Sequence, residues 1–272
     1  MAKKALSQLW LWKAELLLFL GCSGRKHNLP CNLIVSLTSY PPRFPTLAFT
    51  LKTLLMQSVK PDRVILWICN VDYSQLSDDV LALKEKGLEI RTCSDLGPYK
   101  KIIPALKEFP DAFIATADDD INYTSDWLAK LAASWKGDNK NIICHRAHRI
   151  ELGSDNLPRS YRDWTFDVPG PLETRGIMPI GAGGVLYPPG SLHPDVTDEK
   201  LFSRLSPKAD DVWLYWMGRR NGAIYIKTPG KRILFDWPGS QDVGLFHNNW
   251  AGNENDRKIQ AMIQYFGWPE FA

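Results

Sequence analysis

Short apolar runs alternate with amphipathic stretches over the first half of the chain. Leu33-Ile34-Val35-Ser36-Leu37 is almost wholly apolar and stops at Thr38-Ser39-Tyr40-Pro41-Pro42, so it reads as a buried strand ending in a loop. Leu47 to Gln57 has helical spacing, and Arg63 to Ile68 reads as a second strand. Ser77 to Lys86 reads as a polar-faced helix with Gly87 as its stop. Leu88 to Arg91 follows as a third strand, Ile102 to Phe109 as a helix, and Ala112 to Ala117 as a fourth strand. This rhythm predicts an α/β fold with a mostly parallel sheet covered by helices on both faces. Ligands of open α/β sheets bind beyond the carboxyl ends of the strands. The informative residues are therefore Thr38-Ser39-Tyr40 after the first strand, Gly97-Pro98-Tyr99-Lys100-Lys101 after the third, and Asp118-Asp119-Asp120 after the fourth.

After about Leu131 the rhythm changes. Trp164, Pro169, Pro171, Gly176 and Pro179 mark irregular chain, and Gly181-Ala182-Gly183-Gly184 leads into Val185-Leu186-Tyr187-Pro188-Pro189. Pro207 to Met217 reads as a loop entering a helix, Gly239 to Asn255 as a polar loop, and Arg257 to Phe266 as a helix. At the other end, Met1 to Leu20 carries Trp10, Trp12 and many leucines, with Lys13 and Glu15 among them. A spanning helix needs about 20 mostly apolar residues, and this run is broken too early. The charges inside it also argue against a cleaved signal peptide. Three readings stay open: an amphipathic helix on a membrane surface, a helix packed on the protein's own body, and a signal or anchor segment.

Composition narrows the classes. With 33 Lys and Arg against 30 Asp and Glu, the formal net charge is +3, and no basic run tracks a nucleic-acid backbone. The five cysteines are scattered without CxxC spacing, which speaks against structural zinc and a disulfide framework.

Asp118-Asp119-Asp120 is the strongest chemical signal. Three acids at the end of a buried strand repel one another and lose solvation, and a divalent cation with hard oxygen ligands offsets both. In extended chain Asp118 and Asp120 point the same way, so both can face one ion; the competing reading is a solvated acidic turn. Lys100 and Lys101 open a helix, where a diphosphate is favoured, although lysine pairs are commonly just solvated. Gly183 and Gly184 let backbone approach a ligand closely, or simply make a tight turn. Asp210 and Asp211 stand at a helix start, where one can cap and the other can accept a proton. His247 is a lone loop histidine beside Asn248 and Asn249.

In this order these residues resemble the GT-A glycosyltransferases, particularly inverting, family 2-like bacterial enzymes that build surface polysaccharides. The resemblance rests on Ser36-Leu37-Thr38-Ser39-Tyr40-Pro41-Pro42-Arg43, Asp118-Asp119-Asp120, Gly183-Gly184 with Tyr187-Pro188-Pro189, and Asp210-Asp211. It implies a Rossmann-like GT-A domain over 30–272, with a nucleotide-binding half at 30–130 and an acceptor-binding half at 131–272, behind a helical extension at 1–29. It implies that Asp118, Asp120 and His247 hold Mn²⁺ or Mg²⁺. Thr38, Ser39, Tyr40, Arg43, Lys100, Lys101, Asp118, Asp119, Gly183 and Gly184 would line the nucleotide-sugar donor, expected to be a UDP-sugar. Asp211 or Asp210 would be the base. The implied partners are that donor and a glycan or glycolipid acceptor, with no nucleic acid, in the cytoplasm or on the inner face of the cell membrane. The family often shows Glu-Asp where this chain has Asp210-Asp211, which leaves open which carboxylate is the base. A sugar-phosphate nucleotidyltransferase would use a similar sheet and metal, but with a Gly- and Arg-rich loop where Pro41-Pro42 stands. A non-enzymatic nucleotide-sugar-binding protein would not need Asp210-Asp211.

Overall fold

A computed structural model describes residues 2–21, 23–230, 235–237 and 253–269. Its centre is an eight-stranded mixed sheet flanked by helices. The strands are β1 (Leu33–Thr38), β2 (Arg63–Cys69), β3 (Leu88–Cys93), β4 (Phe113–Ala117), β5 (Asn141–Cys144), β6 (Gly170–Thr174), β7 (Val185–Tyr187) and β8 (Ile224–Gly230), in the spatial order β3-β2-β1-β4-β7-β5-β8-β6. β1 pairs in parallel with β2 and β4, β2 with β3, and β5 with β8. β7 runs antiparallel between β4 and β5, and β6 antiparallel on β8. The chain moves outward from β1 to β3, then returns to the other side of β1 as β4. That reversal places the crevice of the sheet between the ends of β1 and β4.

The near-continuous apolar character of the central strands follows from covering on both faces. Leu33, Val35 and Leu37 of β1 join Leu66 and Ile68 of β2 in a core beneath Leu47, Leu51 and Leu54 of α2 (Phe44–Leu55). On the other face Ile34, Ile65, Trp67 and Ile114 meet Ala105 of α4 (Ile103–Glu108), with α3 (Asp78–Ala82) lying on the α2 side. Fully burying each leucine contributes roughly 1.5–3 kcal/mol, so the inner row of α2 alone fixes that helix on the sheet. Ser36 interrupts the run for a reason: its hydroxyl donates to Lys101 O at 2.6 Å and accepts from the Trp67 indole at 3.0 Å. That bond ties the segment before α4 to the central strand. Gly87 takes φ +97° and ends its helical turn as expected.

The second half is packed around α7 (Asp210–Arg220), whose Trp213, Tyr215, Trp216 and Met217 are almost fully buried against Ile259 and Met262 of α8 (Glu254–Phe266). Short helices α5 (Trp127–Ala133) and α6 (Glu199–Leu205) complete this half.

The N-terminal helix α1 (Ala2–Phe19) packs on α2 through Leu11, Ala14 and Leu18, with Glu15 bonded to Lys52 at 2.6 Å. Its outer side carries exposed Leu9, Trp12, Leu16 and Phe19. The helix thus has two apolar sides, where the sequence reading expected one apolar and one polar. Among the described residues no helix is long and apolar enough to cross a membrane.

Candidate active site

The extended run of β4 ends at Ala117, and the chain turns at Asp119-Asp120. Alternation in extended chain predicts Asp118 and Asp120 on one side; in the turn each acid meets a different partner. Asp118 Oδ1 accepts from Lys101 Nζ at 3.0 Å, Asp119 Oδ2 from Ser39 Oγ at 2.5 Å, and Asp120 Oδ2 from Arg43 Nη1 at 2.6 Å. Ser39 and Arg43 follow β1, so the two strand ends flanking the crevice are joined by these bonds. The turn is braced from behind. The Thr50 hydroxyl lies 2.9 Å from Asp119 O and 3.1 Å from Ile121 O, and accepts from the Trp237 indole at 2.8 Å. Tyr123 Oη accepts from Asp118 N at 2.8 Å.

The second acid group arrives on the first turn of α7, where the helix dipole favours negative charge. Ala209 is the N-cap and makes no side-chain cap, so neither aspartate serves as the cap expected of one of them. Asp210 Oδ2 lies 3.0 Å from Lys101 Nζ, as an ion pair whose angle misses that of a hydrogen bond. Asp211 Oδ1 accepts from Gly181 N at 3.0 Å. A Cβ on Gly181 would stand 2.9 Å from Lys101 Nζ and 3.0 Å from Asp211 Oδ1, so a side chain there would push into both. The buried Lys101 is therefore the junction of the site: one ammonium holds the end of β4 to the start of α7.

Among the described residues, Asp118, Asp119, Asp120, Asp210 and Asp211 converge on Lys101 and Arg43. The charge excess shows in proton affinities. Burial, only partly offset by the Ser39 hydrogen bond and Arg43 and reinforced by Asp120, pushes Asp119 up to about 7. Burial and then the adjacent Asp210 raise Asp211 above the ordinary carboxylate range, against the pull of Lys101. Burial opposes the charge of Lys101, but Asp118, Asp210 and Asp211 together raise its proton affinity well above that of a free lysine. Arg43 behaves likewise: burial works against it, and Asp120 and Asp119 prevail.

The other expected site residues divide. Thr38 Oγ1 donates to Trp67 O at 2.8 Å, and Tyr40 is a hydrogen-bond partner of Arg43. Lys100 is buried but pairs with Asp95 at 3.1 Å, on the far side of its turn from the acids' shared lysine. Gly183 and Gly184 take φ +143° and +99°, and a Cβ on Gly184 would lie 2.5 Å from the Trp127 indole nitrogen. That indole donates to Gly183 O at 2.7 Å, so Trp127 dictates this glycine pair. His247 lies outside the described residues.

Sequence reasoning missed Tyr123, Trp127, Thr50 and the segment 235–237, which returns alongside the acid turn through Asn122 N to Phe235 O at 2.8 Å and Trp237 N to Asp120 O at 3.2 Å. The polar string Asn122-Tyr123-Thr124, one residue after the three acids, was the available signal for Tyr123; nothing local marked Thr50.

A divalent ion fits the chemistry of this donor set. The carboxylates are hard oxygen ligands in excess over nearby cations, and ions of the Mg²⁺ type commonly take one or two protein carboxylates plus substrate phosphates. Such an ion would compete with Lys101 for Asp118 and with Arg43 for Asp120. Among the described residues no group of three His, Cys, Asp or Glu side chains is arranged as a ready metal cage.

No family model matches the chain, and no curated protein matches it. Among solved structures it is similar to the mannosyltransferase PcManGT from Pyrobaculum calidifontis, solved with GDP-Man and Mn²⁺, at 14% identity and a TM-score of 0.44 over 84% of this chain. The chain spans only 64% of that enzyme. It is similar to S. aureus TarS 1–349 at 12% identity and a TM-score of 0.45, covering 87% of this chain and 73% of that one. It is also similar to 4-diphosphocytidyl-2C-methyl-D-erythritol synthase from Anaerococcus prevotii at 13% identity and a TM-score of 0.49, covering 86% and 97%. With identities this low and superpositions this loose, the fold assignment stands on strand order and register: a mixed, mostly parallel α/β sheet flanked by helices.

Proposed function

We propose that the protein is an inverting GT-A glycosyltransferase that moves a sugar from a nucleotide-diphosphate sugar, in our reading a UDP-sugar, to an acceptor hydroxyl in surface polysaccharide (capsule or lipopolysaccharide) biosynthesis. The observation that carries this reading is the meeting of two acid groups at the sheet crevice, one after β4 and one at the start of α7, joined by Lys101. The donor's base and diphosphate occupy the crevice beside Thr38, Ser39, Tyr40 and Arg43. Asp118 and Asp120, with His247 as a third candidate, hold Mn²⁺ or Mg²⁺, which would supply positive charge to the departing nucleotide diphosphate. Asp211 takes the proton from the acceptor hydroxyl. As that oxygen bonds to the anomeric carbon, the bond from the carbon to the diphosphate oxygen breaks, and one displacement inverts the centre. A base with proton affinity raised toward neutrality suits this task. Asp210, paired with Lys101, raises the proton affinity of its neighbour Asp211.

The exposed Leu9, Trp12, Leu16 and Phe19 on α1, in a helix that also carries Lys3, Lys4 and Lys13, support contact with an anionic membrane surface where a glycolipid acceptor resides. Removing residues 1–20 would then reduce co-sedimentation with anionic liposomes; a full-length protein that ignores such liposomes rules the contact out.

The test of the activity is a donor screen with and without Mn²⁺ or Mg²⁺, detecting nucleotide diphosphate release. The expected result is release from one donor class that stops in EDTA. Undiminished release in EDTA overturns the metal role, and no release from any donor overturns the activity.

A further inference from the structure

A second constellation lies across the Gly181–Gly184 turn from Lys101. Arg146, just after β5, accepts Ile180 N at its carbonyl at 3.0 Å, and the very next peptide N–H, that of Gly181, donates to Asp211. The absent side chain of Gly183 faces Arg146, where a Cβ would meet Arg146 Cβ at 3.1 Å. One short turn thus has the proposed base at one flank and Arg146 at the other. The Arg146 guanidinium forks onto both carboxylate oxygens of Asp167 through Nε and Nη2. Asp167 has φ +51°, a left-handed conformation that a non-glycine residue keeps only where its surroundings over-determine it. Those surroundings are Arg146 and the buried His148, whose Nδ1 accepts Asp167 N at 3.1 Å. His148 stays neutral, because burial and then Arg146 lower its proton affinity to about 4.

Tyr161 completes the group. Its ring meets Trp164 and Phe166 at centroid distances of 5.0 and 5.5 Å, and its backbone is pinned by Asp256 of α8, which accepts Tyr161 N at 2.6 Å. Burial, and after it the charge of Asp211, hold the Tyr161 phenol protonated, with Arg146 and Asp167 also within electrostatic reach. Arg146 and Asp167 keep 26% and 31% of their side-chain surface exposed.

We propose that Arg146, Asp167 and Tyr161 form the acceptor subsite and that it takes an uncharged pyranose. This rests on the reading of Asp211 as the base, which the subsite would supply with a hydroxyl. Aromatic rings offer the apolar face of a sugar a surface, and an Arg–Asp fork offers adjacent hydroxyls both donors and acceptors. The charge balance selects against anionic sugars. Asp167 already neutralises Arg146, and Asp210 and Asp211 lie beyond, so a uronate or sugar phosphate meets net negative charge.

Saturation-transfer NMR of the full chain tests this with methyl glucopyranoside, galactopyranoside and mannopyranoside as neutral probes and methyl glucuronide as the charged one. Wild-type protein should bind at least one neutral probe and prefer it to the glucuronide. Asp167→Asn, which tolerates the left-handed backbone, and Tyr161→Phe, which keeps the ring packing, should each weaken that binding about tenfold, while UDP and GDP titrations stay unchanged. No binding of any neutral probe, unaltered binding in both variants, or preference for the glucuronide overturns the subsite. Nucleotide diphosphate release to water without any pyranoside binding sinks the subsite and spares the transferase reading. Pyranoside binding that both variants weaken, in a protein that turns over no nucleotide sugar, does the reverse.

Discussion

The two acid groups are built differently. After β4, each aspartate has its own side-chain partner: Lys101 for Asp118, Ser39 for Asp119 and Arg43 for Asp120. At the start of α7, Asp210 shares Lys101, and Asp211 is held by a backbone N–H alone. The first group is a fixed array of charge suited to binding. The second leaves one half-buried carboxylate with raised proton affinity and no cation of its own, which suits proton transfer. Two clusters of the same residue type thus acquire different chemistry from what surrounds them.

The sharpest break in this comparison is removal of the shared cation. Lys101→Met leaves Asp118 and Asp210 facing one another without compensation in a buried place, and removing one partner of a buried ion pair costs about 3–5 kcal/mol. Urea unfolding should show that loss, and Lys101→Arg should recover part of it. An unchanged midpoint in Lys101→Met would separate the two acid groups energetically.

Next comes the contrast between binding and proton transfer. Asp211→Asn keeps the shape and the Gly181 bond while removing basicity. Transfer should fall at least about a hundredfold, equivalent to about 2.7 kcal/mol in the barrier, with donor affinity by calorimetry unchanged. A fully active Asp211→Asn beside a dead Asp210→Asn would move the base by one residue.

Smaller still is the effect at the turn that carries Asp211's anchor. Gly184→Ala drives a methyl group into the Trp127 indole at a positive φ, and overpacking of this kind costs about 1–3 kcal/mol. Thermal unfolding should show it as a lowered Tm; no change would mean that Trp127 yields.

A further test is the pH dependence of the first group. Asp119 titrates at about 7 in the folded protein against 3.8 when free, so the folded state retains a proton that the unfolded state releases. Its contribution to stability is therefore fully present below 3.8, is lost as pH rises towards about 7, and stays flat above. Asp119→Asn should flatten this part of the Tm profile of metal-free protein. A wild-type profile that rises across the same window contradicts it.

The first half of the fold was legible because its strands follow one another, are buried on both faces and are separated by helices with clear stops such as Gly87. In the other half the helices at Asp210–Arg220 and Glu254–Phe266 were legible but the strands were not, because β5, β6 and β8 come from distant stretches and gain their identity only by pairing. Asn141–Cys144 is four residues long, and Gly170–Thr174 alternates weakly at a sheet edge. α7 is buried nearly all round and has no amphipathic stripe, so it reads only as a helix entered from the loop at Pro207. At the site, residue types were legible and partners were not. Arg43 and Lys101 stood out as basic residues near strand ends, but their claim on particular carboxylates arises from the turn after Ala117 and from the docking of α7. Asp167 gave no signal, since its conformation is set by His148 and Arg146 across the fold.

The most direct measurement follows one turnover by ³¹P and ¹H NMR, with wild-type protein, a nucleotide-diphosphate sugar of known anomeric configuration, an acceptor glycan and Mn²⁺. The account predicts a nucleotide diphosphate as the phosphorus product and a glycoside whose anomeric configuration is opposite to the donor's. A glycoside of retained configuration would contradict the single displacement by Asp211. In a parallel sample given a nucleoside triphosphate and a sugar phosphate instead, release of inorganic pyrophosphate, with no glycoside formed from any donor, would contradict glycosyl transfer itself.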